Sequence, residues 1–357
     1  MEQEIAVLFG LSLSGNDDGY ASLKELERLC ETAGVLVCGK LFQRAKEITP
    51  ATYIGSGKVL ELKELIEKNG ANLAISDNEL SGSQVNNLSQ ALGVKVVDRT
   101  TLILDIFAKR ALSNEGKLQV ELAMLKYYLP RLSGISGTSG RFGSGGVGMR
   151  GPGETKLELD KRKIKLQIQK LEAQIEKIKK DRQLRRKNRA SNVKNVSIVG
   201  YTNAGKSTLM NLITKAGIYA DDKLFATLDT TTRLLFLKPG KQVVLTDTVG
   251  FINKLPKAFA PAFSATLEEV ANSDLIIHLI DSTDKNLETH IDVVLGELEK
   301  LGATKIPRLT VFNKIDVLTT DQKRELREKF PDAILISAKK GENVEEIKDQ
   351  ILKILWN

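Results

Sequence analysis

Four short stretches of this 357-residue chain carry groups suited to phosphate and purine chemistry. The first is Gly200-Tyr201-Thr202-Asn203-Ala204-Gly205-Lys206-Ser207-Thr208, which fits the pattern G-x-x-x-x-G-K-S. Glycines at 200 and 205 let the backbone curl so that successive N–H groups face phosphate oxygens. The helix start that follows adds partial positive charge. In this pattern Lys206 faces the β- and γ-phosphates and the Ser207 hydroxyl ligates Mg²⁺. The second stretch is Asp247-Thr248-Val249-Gly250. Its carboxylate suits a Mg²⁺-bound water, and its glycine lets a backbone N–H approach a γ-phosphate. The third is Asn313-Lys314-Ile315-Asp316. Asp316 is able to accept two hydrogen bonds from N1–H and the 2-amino group of guanine, a pair that adenine lacks. The fourth is Ser337-Ala338-Lys339, whose backbone N–H groups suit the guanine O6. Singly, each has a plainer reading: a glycine turn capping a helix, a helix cap, a turn. Their order, and the apolar run before each, argue against coincidence.

Those apolar runs are the elements that must position the chemistry. Strands are predicted at Val196–Val199, Leu234–Leu237, Val243–Thr246, Leu275–Ile280, Arg308–Phe312 and Ala333–Ile336. Pro239-Gly240 reads as a hairpin turn, so one antiparallel pair is expected in an otherwise parallel sheet. The site then lies at the carboxyl ends of the strands of a doubly wound sheet. A final helix covers Val344–Ile354.

Upstream, residues 1–110 alternate strand and helix patterns, which predicts a small α/β domain with a largely parallel sheet. Tyr53-Ile54-Gly55-Ser56-Gly57-Lys58 is glycine-rich before a helix but lacks phosphate-loop spacing, and we read it as a helix-entry turn. Leu118, Leu122, Leu125 and Leu129 recur at coiled-coil spacing, and Pro130 ends that helix. Leu157, Ile164, Ile168, Leu171, Ile175 and Ile178 form a second narrow seam. Residues 111–193 thus predict an antiparallel helical hairpin. Its loop, Ser133–Glu154, holds nine glycines and is flanked or punctuated by Arg131, Arg141 and Arg150. Such a loop builds no core, and with Phe142 and Met149 it suits phosphate and stacking contacts to RNA. Residues 194–357 form the third domain.

Charge sharpens this division. Residues 155–194 carry fifteen Lys and Arg against five acids, which leaves the rest of the chain at −2 out of a total of +8. An imbalance of that kind argues for a polyanionic partner and against simple salt-bridge lacing. Cys30 and Cys38 are the only cysteines, so neither a disulfide framework nor a cysteine metal site is available, and a reducing compartment is expected. No window of 18 apolar residues exists and the N-terminus lacks a basic stretch before its apolar run. Neither a membrane span nor a signal peptide is expected.

The chain resembles the translation-factor-related GTPases, and specifically the HflX family, over nearly its whole length. The resemblance is carried by TYIGSGK, DRTTLILDIFAKRA, QVELAMLKYYLPRL and GGVGMRGPGETKLELDKRKI, then by GYTNAGKSTL, LFATLDTTTR, DTVGFI, NKID and SAK. It implies a ribosome-associated GTPase that binds the large subunit and is able to split stalled or idle ribosomes; a cytoplasmic, monomeric protein is expected. It also implies that the Gly/Arg loop and basic helices reach ribosomal RNA. Lys206, Thr227 and Gly250 would then be the catalytic residues. By the same resemblance Phe225-Ala226-Thr227-Leu228-Asp229 is the first switch, with Thr227 joining Ser207 and Asp247 around Mg²⁺. On chemistry alone Thr230, Thr231 and Thr232 are equal candidates. Asn203 matches a position that holds K⁺ in some related GTPases. Phe251 stands where many Ras-like GTPases carry a water-orienting glutamine, which predicts slow intrinsic hydrolysis. Some relatives carry a further domain after the last helix. Two other readings stay open: a nucleotide-gated binder of free structured RNA, and an N-terminal ATP-dependent RNA-remodelling activity through Gly55–Lys58.

Overall fold

The computed structural model describes residues 3–13, 19–132, 156–187, 193–214, 224–225, 230–253 and 268–356. The Gly/Arg loop and residues Ala226 to Asp229 lie outside them. The chain divides into two compact units, residues 1–109 with 118–175, and 110–117 with 176–357.

The first unit is built on strands β1 (Ile5–Ser12), β2 (Leu36–Arg44), β3 (Leu73–Ser76) and β4 (Lys95–Asp98), all parallel, in the order β2-β1-β3-β4. Strand β1 is apolar nearly throughout because both of its faces are covered. Helices α1 (Gly19–Ala33), α2 (Ser56–Asn69) and α3 (Gly82–Leu92) make the crossovers. Leu23, Leu26, Leu29 and Cys30 are the buried stripe of α1. A Ser81/Gln84 capping box starts α3, and Gly93 in the left-handed region stops it.

A polar cluster sits at the carboxyl ends of these strands. Arg99, 2% exposed, opens helix α4 (Arg99–Arg110) and pairs with Asp77 at 2.8 Å and Glu25 at 2.6 Å. The Ser22 hydroxyl donates to the other Asp77 oxygen at 2.6 Å. Asp98 caps α4 through Thr101 N–H and accepts the hydroxyl of Tyr127 from helix α5 (Asn114–Tyr128). Burial and the Asp98 carboxylate together push the Tyr127 phenol far up, so it remains a donor.

Helix α5 corrects one expectation. Of the four leucines at coiled-coil spacing only Leu122 is buried, and Leu118, Leu125 and Leu129 are half-exposed. The buried line is Gly116, Val120, Ala123 and Tyr127, at the same spacing of four, three and four. The bond from Tyr127 to Asp98 and the small side chain of Ala123 turn that face inward. The helix ends at Tyr128, one residue before a 3₁₀ turn, Leu129–Arg131, that contains Pro130. Helix α6 (Lys156–Lys187) keeps its predicted seam, with Leu171 buried and Ile164, Ile168, Ile175 and Ile178 half-buried. Within the first unit, Lys126 of α5 pairs with Glu172 of α6 at 2.6 Å. Within the second, Arg182 of α6 pairs with Glu115, and Lys179 with Glu268 at 2.5 Å.

The second unit carries a six-stranded sheet: β5 (Lys194–Val199), β6 (Thr231–Lys238), β7 (Lys241–Asp247), β8 (Leu275–Asp281), β9 (Arg308–Asn313) and β10 (Ile334–Leu335). Their spatial order is β10-β9-β8-β5-β7-β6. All neighbours are parallel except β6 and β7, which turn through Gly240 at φ +75°. Helices α7 (Lys206–Thr214), α8 (Leu287–Lys300), α9 (Thr320–Lys329) and α10 (Val344–Trp356) flank it. Val196, Ile198, Leu245, Ile277, Leu279 and Val311 are fully buried between helices and sheet. The six strands are those predicted, and the chain reverses direction of travel across the sheet beside β5. That point, at the carboxyl end of β5, is where doubly wound sheets place ligands.

Candidate functional site

The loop between β5 and α7 is shaped for a phosphate. At Gly200 an added Cβ would lie 2.2 Å from the Leu279 carbonyl, so no side chain fits there. Asn203 at φ +64° and Gly205 at φ +92° bend the chain inward. A Cβ on Gly205 would strike the Asn313 amide at 2.3 Å. Lys206 folds beneath the loop and its Nζ donates to Tyr201 O at 2.9 Å and Gly200 O at 3.3 Å. Burial pulls its pKa down to about 8, with the Asp247 carboxylate pulling back upward. The ammonium therefore waits in a dry, oxygen-lined cradle that an anion would relieve.

The Ser207 hydroxyl donates to Asp247 Oδ2 at 2.6 Å, so the first turn of α7 meets the end of β7. Asp247 is fully buried. Thr208 is half-buried one residue on in α7. A serine hydroxyl and a carboxylate side by side are the hard oxygen donors that Mg²⁺ prefers, with phosphate oxygens and water completing its shell. These residues fit that ion. Thr248 is tied down through its hydroxyl to Ile198 O at 2.6 Å, and Val249 is buried. Gly250 then passes directly over the loop, where a Cβ would lie 2.8 Å from Thr202 Cα. Phe251, 4% exposed, packs with Val199, Val270, Ile276 and Val294, so its ring has no means to orient a water.

The opposite side of the site is assembled around Asn313, at the end of β9. Its side-chain N–H donates to Ala204 O at 2.8 Å, and its side-chain oxygen accepts Ala338 N–H at 2.9 Å. One amide thus ties the phosphate loop to the Ser337-Ala338-Lys339 turn. Lys314 adopts φ +68° and its ammonium donates to Asp281 Oδ2 at 2.7 Å. Ile315 anchors the turn in a small core with Ile280, Phe312 and Leu335. Asp316 projects outward and accepts from the Ser337 hydroxyl at 2.7 Å, which holds its carboxyl below the usual range. Ser337 and Ala338 are buried and Lys339 is exposed.

The structure therefore brings Gly200 to Thr208, Asp247 to Gly250, Asn313 to Asp316 and Ser337 to Lys339 to one end of one sheet. Phe225 is buried at φ +54°, and Ala226, Thr227, Leu228 and Asp229 lie outside the described residues. Two contributors went unread in the sequence. Asp281 ends the apolar run of β8 and grips Lys314, a position that a carboxylate at a strand end signals. His290 stacks on Tyr201, for which no sequence signal exists. His278 is buried in β8 and pushed down to about 3 by burial, so it stays neutral and packs. In the first unit Gly55 is the N-cap of α2, its N–H bound to Gln43, and Lys58 pairs with Glu61 at 2.6 Å. That is a helix-entry turn.

Comparison with known proteins bears on this geometry. Residues 20–108 match a family described as GTP-binding GTPase N-terminal, and 110–189 one described as GTP-binding GTPase middle region. Residues 195–314 match a family described as 50S ribosome-binding GTPase. GTPase HflX of Lacrimispora saccharolytica is 47% identical over 357 residues, covering 99% of this chain and 84% of that one. The chain belongs to the HflX GTPase family. The HflX of Caldanaerobacter subterraneus subsp. tengcongensis is 51% identical, covering 89% and 74%, and that of Escherichia coli 41%, covering 96% and 81%. Among solved structures, a Sulfolobus solfataricus GTP-binding protein in complex with GDP is 28% identical with a TM-score of 0.50, covering 99% of each chain. As an HflX-family GTPase, the chain has a P-loop GTPase domain behind an N-terminal α/β domain. Among the described residues no helix is long and apolar enough to cross a membrane.

Proposed function

We propose that this chain hydrolyses GTP to GDP and phosphate at the loop Gly200 to Thr208, and that it does so as a factor on the large ribosomal subunit, where it dissociates stalled or idle ribosomes. The observation that carries the nucleotide half is the single amide of Asn313, which joins the phosphate loop to the turn beside Asp316. Phosphate cradle and purine-reading carboxylate are thereby held at a fixed separation.

In this reading the loop amides and Lys206 hold the β- and γ-phosphates. Gly250 supplies a backbone N–H to the γ-phosphate. Asp316 accepts from guanine, with Lys314 steadied over the base by Asp281. Ser207 and Asp247, with Thr227, would hold Mg²⁺, which neutralises charge developing on the transferred phosphoryl oxygens. Water is the nucleophile, and no residue at 251 orients it, so hydrolysis is slow until the ribosome orders the switches or supplies a polar group. Asn203, whose backbone is already bent at the loop, is the candidate K⁺ ligand; equal hydrolysis rates in K⁺ and Na⁺ would remove that role.

The ribosomal half rests on the 50S ribosome-binding description of the family matched by residues 195–314, and on the basic excess of residues 155–194. The Gly/Arg loop and the helices 111–193 are the segment proposed to touch ribosomal RNA. Gradient co-sedimentation with large subunits, in the presence of a non-hydrolysable GTP analogue, tests it. Co-migration that depends on the analogue is expected. Absence of co-migration, with binding to free structured RNA instead, would favour a nucleotide-gated RNA binder.

A further inference from the structure

Three hydrogen bonds among the described residues fasten the segment that follows Gly250 to the phosphate loop. Thr202 N–H donates to Phe251 O at 2.8 Å, and Phe251 N–H to Gly200 O at 3.1 Å. These two make a parallel bridge between Tyr201 and Phe251. The third runs from Asn253 N–H to the Tyr201 hydroxyl at 2.7 Å. The Tyr201 ring is itself held. It lies flat on the His290 imidazole, with centroids 3.6 Å apart and planes within 8°. His290 Nδ1 in turn stands 3.1 Å from Asp284 Oδ2. The ring is thus fixed by α8, and its hydroxyl reaches past Gly250 to hold the chain down.

This closure leaves little room above the loop. A methyl built on Gly250 would lie 2.9 Å from Lys206 Nζ and 2.9 Å from Thr202 Cγ2. Lys206 Nζ, folded here onto the Gly200 and Tyr201 carbonyls, and Gly250 must move apart to take a γ-phosphoryl group between them.

We infer that Tyr201 sets the discrimination between guanosine di- and triphosphate. Stacked on His290, it holds residues 250–253 against the loop, an arrangement that accepts GDP. GTP binding lifts the segment and gives up the bond between Asn253 and Tyr201. The inference rests on the guanine-nucleotide site proposed above. Tyr201 acts here as a positioning residue: its effect falls on the ratio of two affinities, because only the closed arrangement contains its bond.

The test compares full-length wild type, Tyr201→Phe and His290→Ala for affinity towards GDP and guanosine 5′-[β,γ-imido]triphosphate. Tyr201→Phe keeps the stack and loses only the hydroxyl. Its triphosphate-to-diphosphate affinity ratio should rise roughly 3- to 10-fold, the effect of one neutral hydrogen bond. His290→Ala loosens the same ring from its far side and should move the ratio in the same direction. Amide exchange at Phe251 and Asn253 in the GDP complex should quicken in both variants. An unchanged ratio in Tyr201→Phe, or equal loss of both affinities in both variants, would overturn the inference, since a ring that merely shapes the loop affects both nucleotides alike. Failure of wild type to bind either nucleotide would overturn the site itself, and that outcome is read before any variant is made.

Discussion

The Ser207 hydroxyl lies 2.6 Å from Asp247 Oδ2, joining the start of α7 to the end of β7 across forty residues of sequence. Two hard oxygen donors at that separation are a divalent-cation seat when a phosphate lies beside them. Ser207→Ala should raise the Mg²⁺ concentration needed for half-maximal GTP hydrolysis at least ~10-fold, the scale expected for loss of one metal-site partner. A Mg²⁺ titration of hydrolysis at saturating GTP reads this, and an unchanged midpoint would remove Ser207 from the metal site.

Base recognition is testable at Asp316. Its carboxyl is held low by the Ser337 hydroxyl, so it is ionised and accepting at neutral pH. Asp316→Asn exchanges an acceptor for a donor. GTP affinity should fall by about 10²- to 10⁴-fold, in the range for a base-edge pair left unsatisfied, while affinity for xanthosine triphosphate rises. Competition between the two nucleotides measures both, and an unaltered preference for GTP would sink the assignment.

Lys206 predicts a proton linkage. Burial holds its pKa near 8 in the folded protein, well below its unfolded value of 10.5. A pKa depressed on folding means that the folded state binds fewer protons between those values. The penalty is fully present below pH 8 and is relieved as pH rises through the window towards 10.5. Phosphate brought against the ammonium raises the pKa again. Nucleotide binding at pH 8.5 should therefore take up protons, and at pH 6.5 it should not. Calorimetry in buffers of different ionisation enthalpy at each pH detects the uptake, and equal enthalpies at pH 8.5 would contradict it.

In the first unit, Arg99 is buried between Asp77 and Glu25. Arg99→Met removes the guanidinium that lies between these two carboxylates and should destabilise that unit by about 3–5 kcal/mol. Urea unfolding followed by amide exchange in β1 and β3 reads it directly. Guanine-nucleotide binding, measured in the same sample, should persist.

How much of this was legible varied with the range of the interaction. The central strands β5 and β8 announced themselves as apolar runs, because a parallel strand covered on both faces tolerates few polar residues. The phosphate loop, with Gly200 and Gly205, was legible because backbone curvature and close approach demand glycine there. Leu118, Leu125 and Leu129 misled, since periodicity gives a helix face but not which of two neighbouring faces turns inward. In α5 that choice fell to Tyr127 and its bond to Asp98, a partner 29 residues away.

By itself the sequence determined the order of the elements, the kind of ligand and the family, since these reside in local spacing and residue type. Only the tertiary structure decided how the pieces hold one another. The Asn313 amide clamps two loops, Asp281 grips Lys314, Arg99 is encased by acids, and Tyr201 lies on His290 beneath the chain that follows Gly250. Each joins groups far apart in sequence whose approach depends on strand order and helix packing, and no local pattern encodes that geometry.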